Sequence, residues 1–155
     1  LLGGAALTLA LVAWNVTHLP PAVHPDGGYP RAQGAADRVD QALSAAGVGR
    51  DQHVEVRSLP DFKSPEAILY PLSRMGRSYA AVLPNGSLAL GSSVASTQAV
   101  GVIVLCDRLF REAIGDDCGG PAEDRYVRER ALPVGPVLDR FEAAPGRWIS
   151  VYTAQ

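Results

Sequence analysis

The opening stretch Leu1–Val16, LLGGAALTLALVAWNV, constrains this chain more than anything after it. Every residue in it is apolar or small except Thr8 and Asn15, and no Asp, Glu, Lys or Arg occurs before Asp26. A helix packed on a globular surface shows a polar stripe opposite its apolar one, and this segment has no polar stripe. A bilayer-spanning helix needs about 20 apolar residues; Leu1–Val16 supplies most of them, and Leu19–Val23 adds more after a break. Trp14 stands at the end of the run, where an interfacial aromatic belongs, and Pro20-Pro21 stops any helix because proline lacks the N–H and clashes with the preceding turn. Residues 1–19 are therefore expected to be the end of a transmembrane helix whose beginning lies upstream. Two other readings stay open. A signal-peptide core carries a basic start and an Ala-x-Ala cleavage site, neither of which is visible. A buried core helix is opposed by Gly3-Gly4 and the missing polar face.

Cytoplasmic flanks of spanning helices are rich in Lys and Arg. The flank here, THLPPAVHPDGGYP, has none before Arg31, which places residues 20–155 on the extracytoplasmic side. Residues 20–30, with their Pro and Gly, read as a semi-rigid linker, and residues 31–155 as one extracytoplasmic domain long enough to bury a core. The net charge of −2 and the absence of a basic stripe exclude the usual nucleic-acid binder.

Within that domain, Ala35, Val39, Ala42, Leu43 and Ala46 recur at helical spacing and predict a helix over 31–47, ended by Gly47. HVEVRS (53–58) alternates as a half-buried strand. Ser64-Pro65-Glu66 marks a helix start, followed by Ile68, Leu69, Leu72 and Met75, with a kink expected at Pro71. SYAAVL (78–83) and 88–90 read as strands joined by an Asn85-Gly86 hairpin turn, and Gly91–Thr97 as a loop. GVIVLC (101–106) is a continuous β-branched run, the pattern of a strand buried on both faces. Helices are expected at 107–114, 121–130 and 133–144. A closing strand, RWISVYT (147–153), sets Trp148, Ser150 and Tyr152 on one face and Ile149 and Val151 on the other. Helices alternating with strands give an α/β fold: a transmembrane helix followed by a small layered α/β domain with a mixed sheet of four or five strands.

The two cysteines, Cys106 and Cys118, lie twelve positions apart. On an oxidising side such a pair reads as a disulfide. Free structural thiols remain an alternative, as does a reactive Cys106 at a helix N-terminus. A zinc pair lacks the Cys-x-x-Cys spacing and a nearby His, and neither a metal site nor a cofactor is implied.

Ligands of open α/β sheets bind beyond the carboxyl ends of the strands. Two loops leave such ends: Asp61, Lys63 and Ser64 after the strand at 53–58, and Asp107 and Arg108 after GVIVLC. Lys63 and Ser64 at a helix N-terminus favour an anion, so these five residues form the candidate ligand site for a sugar or an anionic group. The competing reading is that Ser64 and Asp107 cap helices while Lys63 and Arg108 are solvated. The acidic pairs Asp116-Asp117 and Glu123-Asp124 lack the alternating oxygens of a calcium loop, and no catalytic constellation is visible.

A final apolar helix ending in Trp-Asn, the Pro-rich exit at Pro20-Pro21, SLPDFKSPEAILYPL (58–72) and VIVLCDRLF (102–110) together resemble, in layout, the C-terminal part of polytopic bacterial glycosyltransferases that use lipid-linked sugars. That family keeps its catalytic acid on an early loop among other spanning helices, so the resemblance carries over no catalytic residue. It implies an accessory domain that shapes an acceptor site or assists assembly, with membrane lipid and other spanning helices of the same protein as partners. The alternative is a membrane-linked transferase or hydrolase with its own site at Asp61, Lys63, Asp107 and Arg108.

Overall fold

The computed structural model describes residues 2–17, 28–82, 88–90 and 99–154. The expected Pro20-Pro21 break, the Asn85-Gly86 turn and the loop at 91–97 fall outside these residues.

The first helix, α1 (Leu2–Thr17), is 16 residues long, and its side chains from Gly4 onward are exposed along its whole length. Leu7, Leu9, Trp14 and Val16 each keep more than half of their surface open. At 1.5 Å per residue it measures about 24 Å, against a hydrocarbon core of about 30 Å. Among the described residues, no helix is long and apolar enough to cross a membrane.

The remainder is an α/β domain around a mixed sheet. Its strands are β1 (Val54–Leu59), β2 (Tyr79–Val82), β3 (Leu88–Leu90), β4 (Gly101–Asp107), β5 (Val134–Ala144) and β6 (Arg147–Ala154). Their order is β3-β2-β1-β4-β6-β5, so the three-residue β3 and the long β5 form the two edges. β1 runs parallel to both β2 and β4, while β3, β6 and β5 pair antiparallel with their neighbours.

The helices cover both faces. α2 (Gly28–Ala45) and α3 (Glu66–Arg74) pack on one face, where Val39, Leu43, Ile68 and Leu72 meet Val54, Val56, Ile103, Leu105, Ile149 and Val151. α5 (Pro121–Glu129) lies on the other, with Ala122 and Tyr126 against Val102, Val104, Cys106 and Tyr152. The two expected periodicities appear directly. β4 is buried at every position and feeds alternate residues to the two cores. β6 puts Ile149 and Val151 into the first core and Trp148 and Tyr152 into the second.

Local differences from the sequence reading have physical causes. Residues 133–144, read as a helix, form β5. Three register shifts interrupt its pairing with β6 and erase the period-2 alternation that announces a strand. Pro136 is tolerated because β5 is an edge strand. The sheet therefore gains a sixth strand over the four or five expected. α2 starts at Gly28, three residues ahead of the expected helix, and carries Pro30 in its first turn, where the missing N–H has no intrahelical partner to lose. The segment 107–114 is divided: Asp107 ends β4, Arg108–Phe110 form a 3-10 turn, and only Arg111–Ile114 are α-helical, as α4.

Two polar ties hold the layers. Arg77, whose side chain is fully buried, donates from Nε to Asp40 Oδ1 at 2.8 Å and from Nη1 to the Gly49 carbonyl at 3.0 Å. Arg50 donates from Nη2 to the other oxygen of Asp40 at 2.7 Å. Burial alone would push the Asp40 carboxyl up, but the hydrogen bonds and charges of Arg50 and Arg77 hold it below the usual carboxylate range. On the opposite face, Glu123 is fully buried and accepts from the backbone N–H of Gly119 and Gly120, closing the N-terminus of α5. Gly119 has φ +98°, and a Cβ there would lie 3.1 Å from the Trp148 indole, so only glycine fits this turn.

Cys106 and Cys118 are joined in a disulfide. It fastens the last turn before α5 to the end of β4, beside Trp148, the cross-strand partner of Cys106.

Candidate functional site

The parallel core of the sheet has the order β2-β1-β4. The chain leaves β1 through α3 toward β2 and later returns to the other side of β1 as β4. The boundary between β1 and β4 is therefore a topological switch point, where a crevice opens beyond the strand ends.

A cavity of about 40 Å³ lies there, lined by Ser58, Lys63, Ser64, Cys106, Asp107 and Arg147 with Leu59, Ala67 and Leu105. Ser58 and Asp107 come from the ends of β1 and β4. Lys63 and Ser64 come from the loop entering α3. Arg147 is the first residue of β6 and the ladder partner of Asp107. Asp107 organises the group: one oxygen accepts from the Leu109 N–H at 3.1 Å, while the other is ion-paired with Lys63 and stands 3.5 Å from Arg147 Nη2. Two cations thus face one carboxylate. Ser64 Oγ accepts from the Glu66 N–H at 3.4 Å, a loose cap at the start of α3.

Ser58 is only 3% exposed, and its hydroxyl finds no hydrogen-bond partner among the described residues. An unsatisfied buried hydroxyl costs about 1–3 kcal/mol, and native structures keep few of them. The hydroxyl lies on the same cavity as Lys63, Asp107 and Arg147.

Of the five residues singled out from the sequence, Lys63, Ser64 and Asp107 meet in this cavity and two do not. Asp61 turns away: it accepts from the Tyr126 hydroxyl at 2.7 Å and pairs with Arg130. Burial first, and then this hydrogen bond to Asp61, push the Tyr126 phenol up, with Arg57 pulling the other way. Arg108 is exposed at the head of the 3-10 turn. Sequence reasoning missed Ser58 and Arg147. Ser58 reads as an ordinary residue of an alternating strand, and Arg147 joins Asp107 only through the β4–β6 register, 40 residues away.

A larger groove of about 290 Å³ adjoins the cavity, and Ala67, Leu105 and Arg147 line both. Its walls are mostly apolar, built from Tyr29, Ala32, Ile68, Pro71, Ala143 and Ile149. Tyr29 and Tyr70, both half-exposed or more, approach with ring centroids 5.8 Å apart. Glu66 also lines this groove. Among the described residues, no group of three or more His, Cys, Asp or Glu side chains could hold a metal ion.

Comparisons with protein-family models, with curated proteins and with solved structures found no match.

Proposed function

We propose that this chain is a membrane-anchored extracytoplasmic accessory domain that binds a small anionic group, such as a phosphate or carboxylate, at the switch point between β1 and β4. The observation that carries the reading is the buried Ser58 hydroxyl, without a partner among the described residues, placed on the same cavity as Lys63 and Arg147. The N-terminus of α3 adds backbone N–H groups and the positive end of its dipole on the same side. By the measure in which one water needs roughly 10–15 Å³, the cavity admits a head group of a few heavy atoms and no more. The disulfide agrees with an oxidising compartment. The fully exposed apolar surface of α1 agrees with burial in lipid. In the layout that the sequence resembles, such a domain serves a larger membrane glycosyltransferase by shaping its acceptor site.

The test is thermal unfolding of the full 155-residue chain in a non-ionic detergent, with inorganic phosphate against chloride at matched ionic strength. A phosphate-specific rise in melting temperature that disappears in Lys63→Met supports the site. An identical response to both salts, or one that Lys63→Met leaves intact, refutes it.

A further inference from the structure

The start of α2 and the exposed aromatic residues lie at one end of the domain. Gly28, where α2 begins, lines the same groove as Leu105, Ala144 and Arg147, so the chain arriving from α1 enters at the carboxyl end of the parallel strands. Ten residues, 18–27, separate α1 from that point, a reach of at most roughly 40 Å. At this same end, the loop before α3 and the 3-10 turn after β4 present Phe62 at 59% exposure and Leu109 at 83%. The Phe62 side chain packs on a neighbouring ring. Phe62 meets the edge of Phe110 with centroids 5.4 Å apart, and the Lys63 ammonium, itself paired with Asp107, lies 5.1 Å from the Phe110 ring centre. Arg108 and Arg111 flank Leu109-Phe110 and are exposed. Of the acidic residues that follow, Asp117 is paired with Arg111 and Asp116 with Arg125, while Glu112 is exposed. Tyr29 and Tyr70 stand on the rim of the adjoining groove. A cluster of aromatic and aliphatic side chains with Arg beside it suits the headgroup level of a bilayer, where amphipathic rings and snorkelling cations are favoured.

From this juxtaposition we infer that the carboxyl end of the sheet faces the lipid surface, with Phe62, Leu109 and Phe110 seated in the interface, so that the Lys63–Asp107–Arg147 cavity opens against the membrane. The inference rests on the proposed membrane anchoring. Its occupant is a lipid surface and no other. Leu109 leaves most of its surface open to such an interface, and the ten residues between α1 and Gly28 keep that surface within reach.

The test uses the full chain reconstituted in phosphatidylcholine vesicles, with and without lipids brominated near the headgroup end of the acyl chains. Two variants each add an indole: Leu109→Trp at the proposed contact, and Asp51→Trp at the opposite end of β1. The fluorescence of each is read as the difference from the parent, and Trp14→Phe separates the contribution of α1. Loss of the added emission in Leu109→Trp but not in Asp51→Trp supports the inference, and Phe62→Trp should repeat it. Equal quenching of the two variants, or of neither, while Trp14 is quenched, overturns the orientation and leaves the anchor standing. An unquenched Trp14 overturns the anchor and the inference with it.

Discussion

Asp107 and Arg147 are partner residues of the β4–β6 ladder, and Arg147 Nη2 lies 3.5 Å from Asp107 Oδ2, the oxygen that also pairs with Lys63. An antiparallel ladder sets its paired residues side by side. The register thus places a second cation on the cavity without any loop having to carry it. Replacing Arg147 removes one of two positive charges while Lys63 stays on Asp107. Arg147→Met is expected to weaken phosphate binding about tenfold, the loss of one charge-assisted hydrogen bond. Titration calorimetry reads the affinity, and urea unfolding checks that stability changes by no more than about 1 kcal/mol.

Ser58 gives a prediction of opposite signs. Ser58→Ala removes a buried hydroxyl that has no partner among the described residues, so the ligand-free protein should gain roughly 1 kcal/mol of stability. The same change should reduce the phosphate-induced rise in melting temperature. Urea denaturation with and without phosphate measures both, and a destabilised ligand-free variant would show that the hydroxyl is satisfied in solution.

The Asp40–Arg77 tie predicts a large loss. Asp40→Asn leaves the fully buried guanidinium of Arg77 without its counter-charge, and breaking a buried pair by removing one partner costs about 3–5 kcal/mol. Arg50→Met removes only the partly exposed second partner of Asp40 and should cost about 1 kcal/mol or less. Chemical denaturation of the two variants distinguishes them.

The same carboxylates set the acid limit. Asp40 is held below the usual range by Arg50 and Arg77 against burial. Asp139 is held below it by the hydrogen bond from Arg38, against burial. A carboxyl whose folded-state pKa lies below its unfolded value stabilises the fold fully above the unfolded pKa, about 3.9 for Asp. That contribution is lost as pH falls through the lower, folded value. Unfolding free energy should therefore be level from pH 7 to about 5 and fall below about pH 4. Asp40→Asn should flatten part of that fall.

The Cys106–Cys118 disulfide joins residues twelve positions apart and closes a loop that carries the 3-10 turn and α4. In the chain-entropy view its removal costs about 3 kcal/mol. Cys118→Ser should lower stability by that order. It should also loosen Leu109 and Phe110, seen as faster amide exchange across residues 108–118 than across β1. Unreduced protein should show no alkylatable thiol by mass spectrometry.

Much of the fold is written in local patterns. GVIVLC announced a strand buried on both faces because each residue of β4 meets one core or the other. RWISVYT separated its two faces correctly because β6 is regular. Ser64-Pro65-Glu66 and Gly47 marked helix ends through backbone groups only a few residues away. The failure at 133–144 has the same root, since the bulged pairing of β5 leaves no period for a neighbour-by-neighbour reading to find. The candidate site was legible in part: the rule that ligands gather beyond strand ends led to Lys63, Ser64 and Asp107, which line one cavity. It could not send Asp61 to Tyr126, 65 residues away, nor bring Arg147 to Asp107. Strand, helix and cap preferences depend on the nearest few residues and are carried by the sequence itself. Register, and the isolation of one buried hydroxyl, depend on which distant segments come to rest side by side, so only the assembled sheet decided where two cations and a serine would meet.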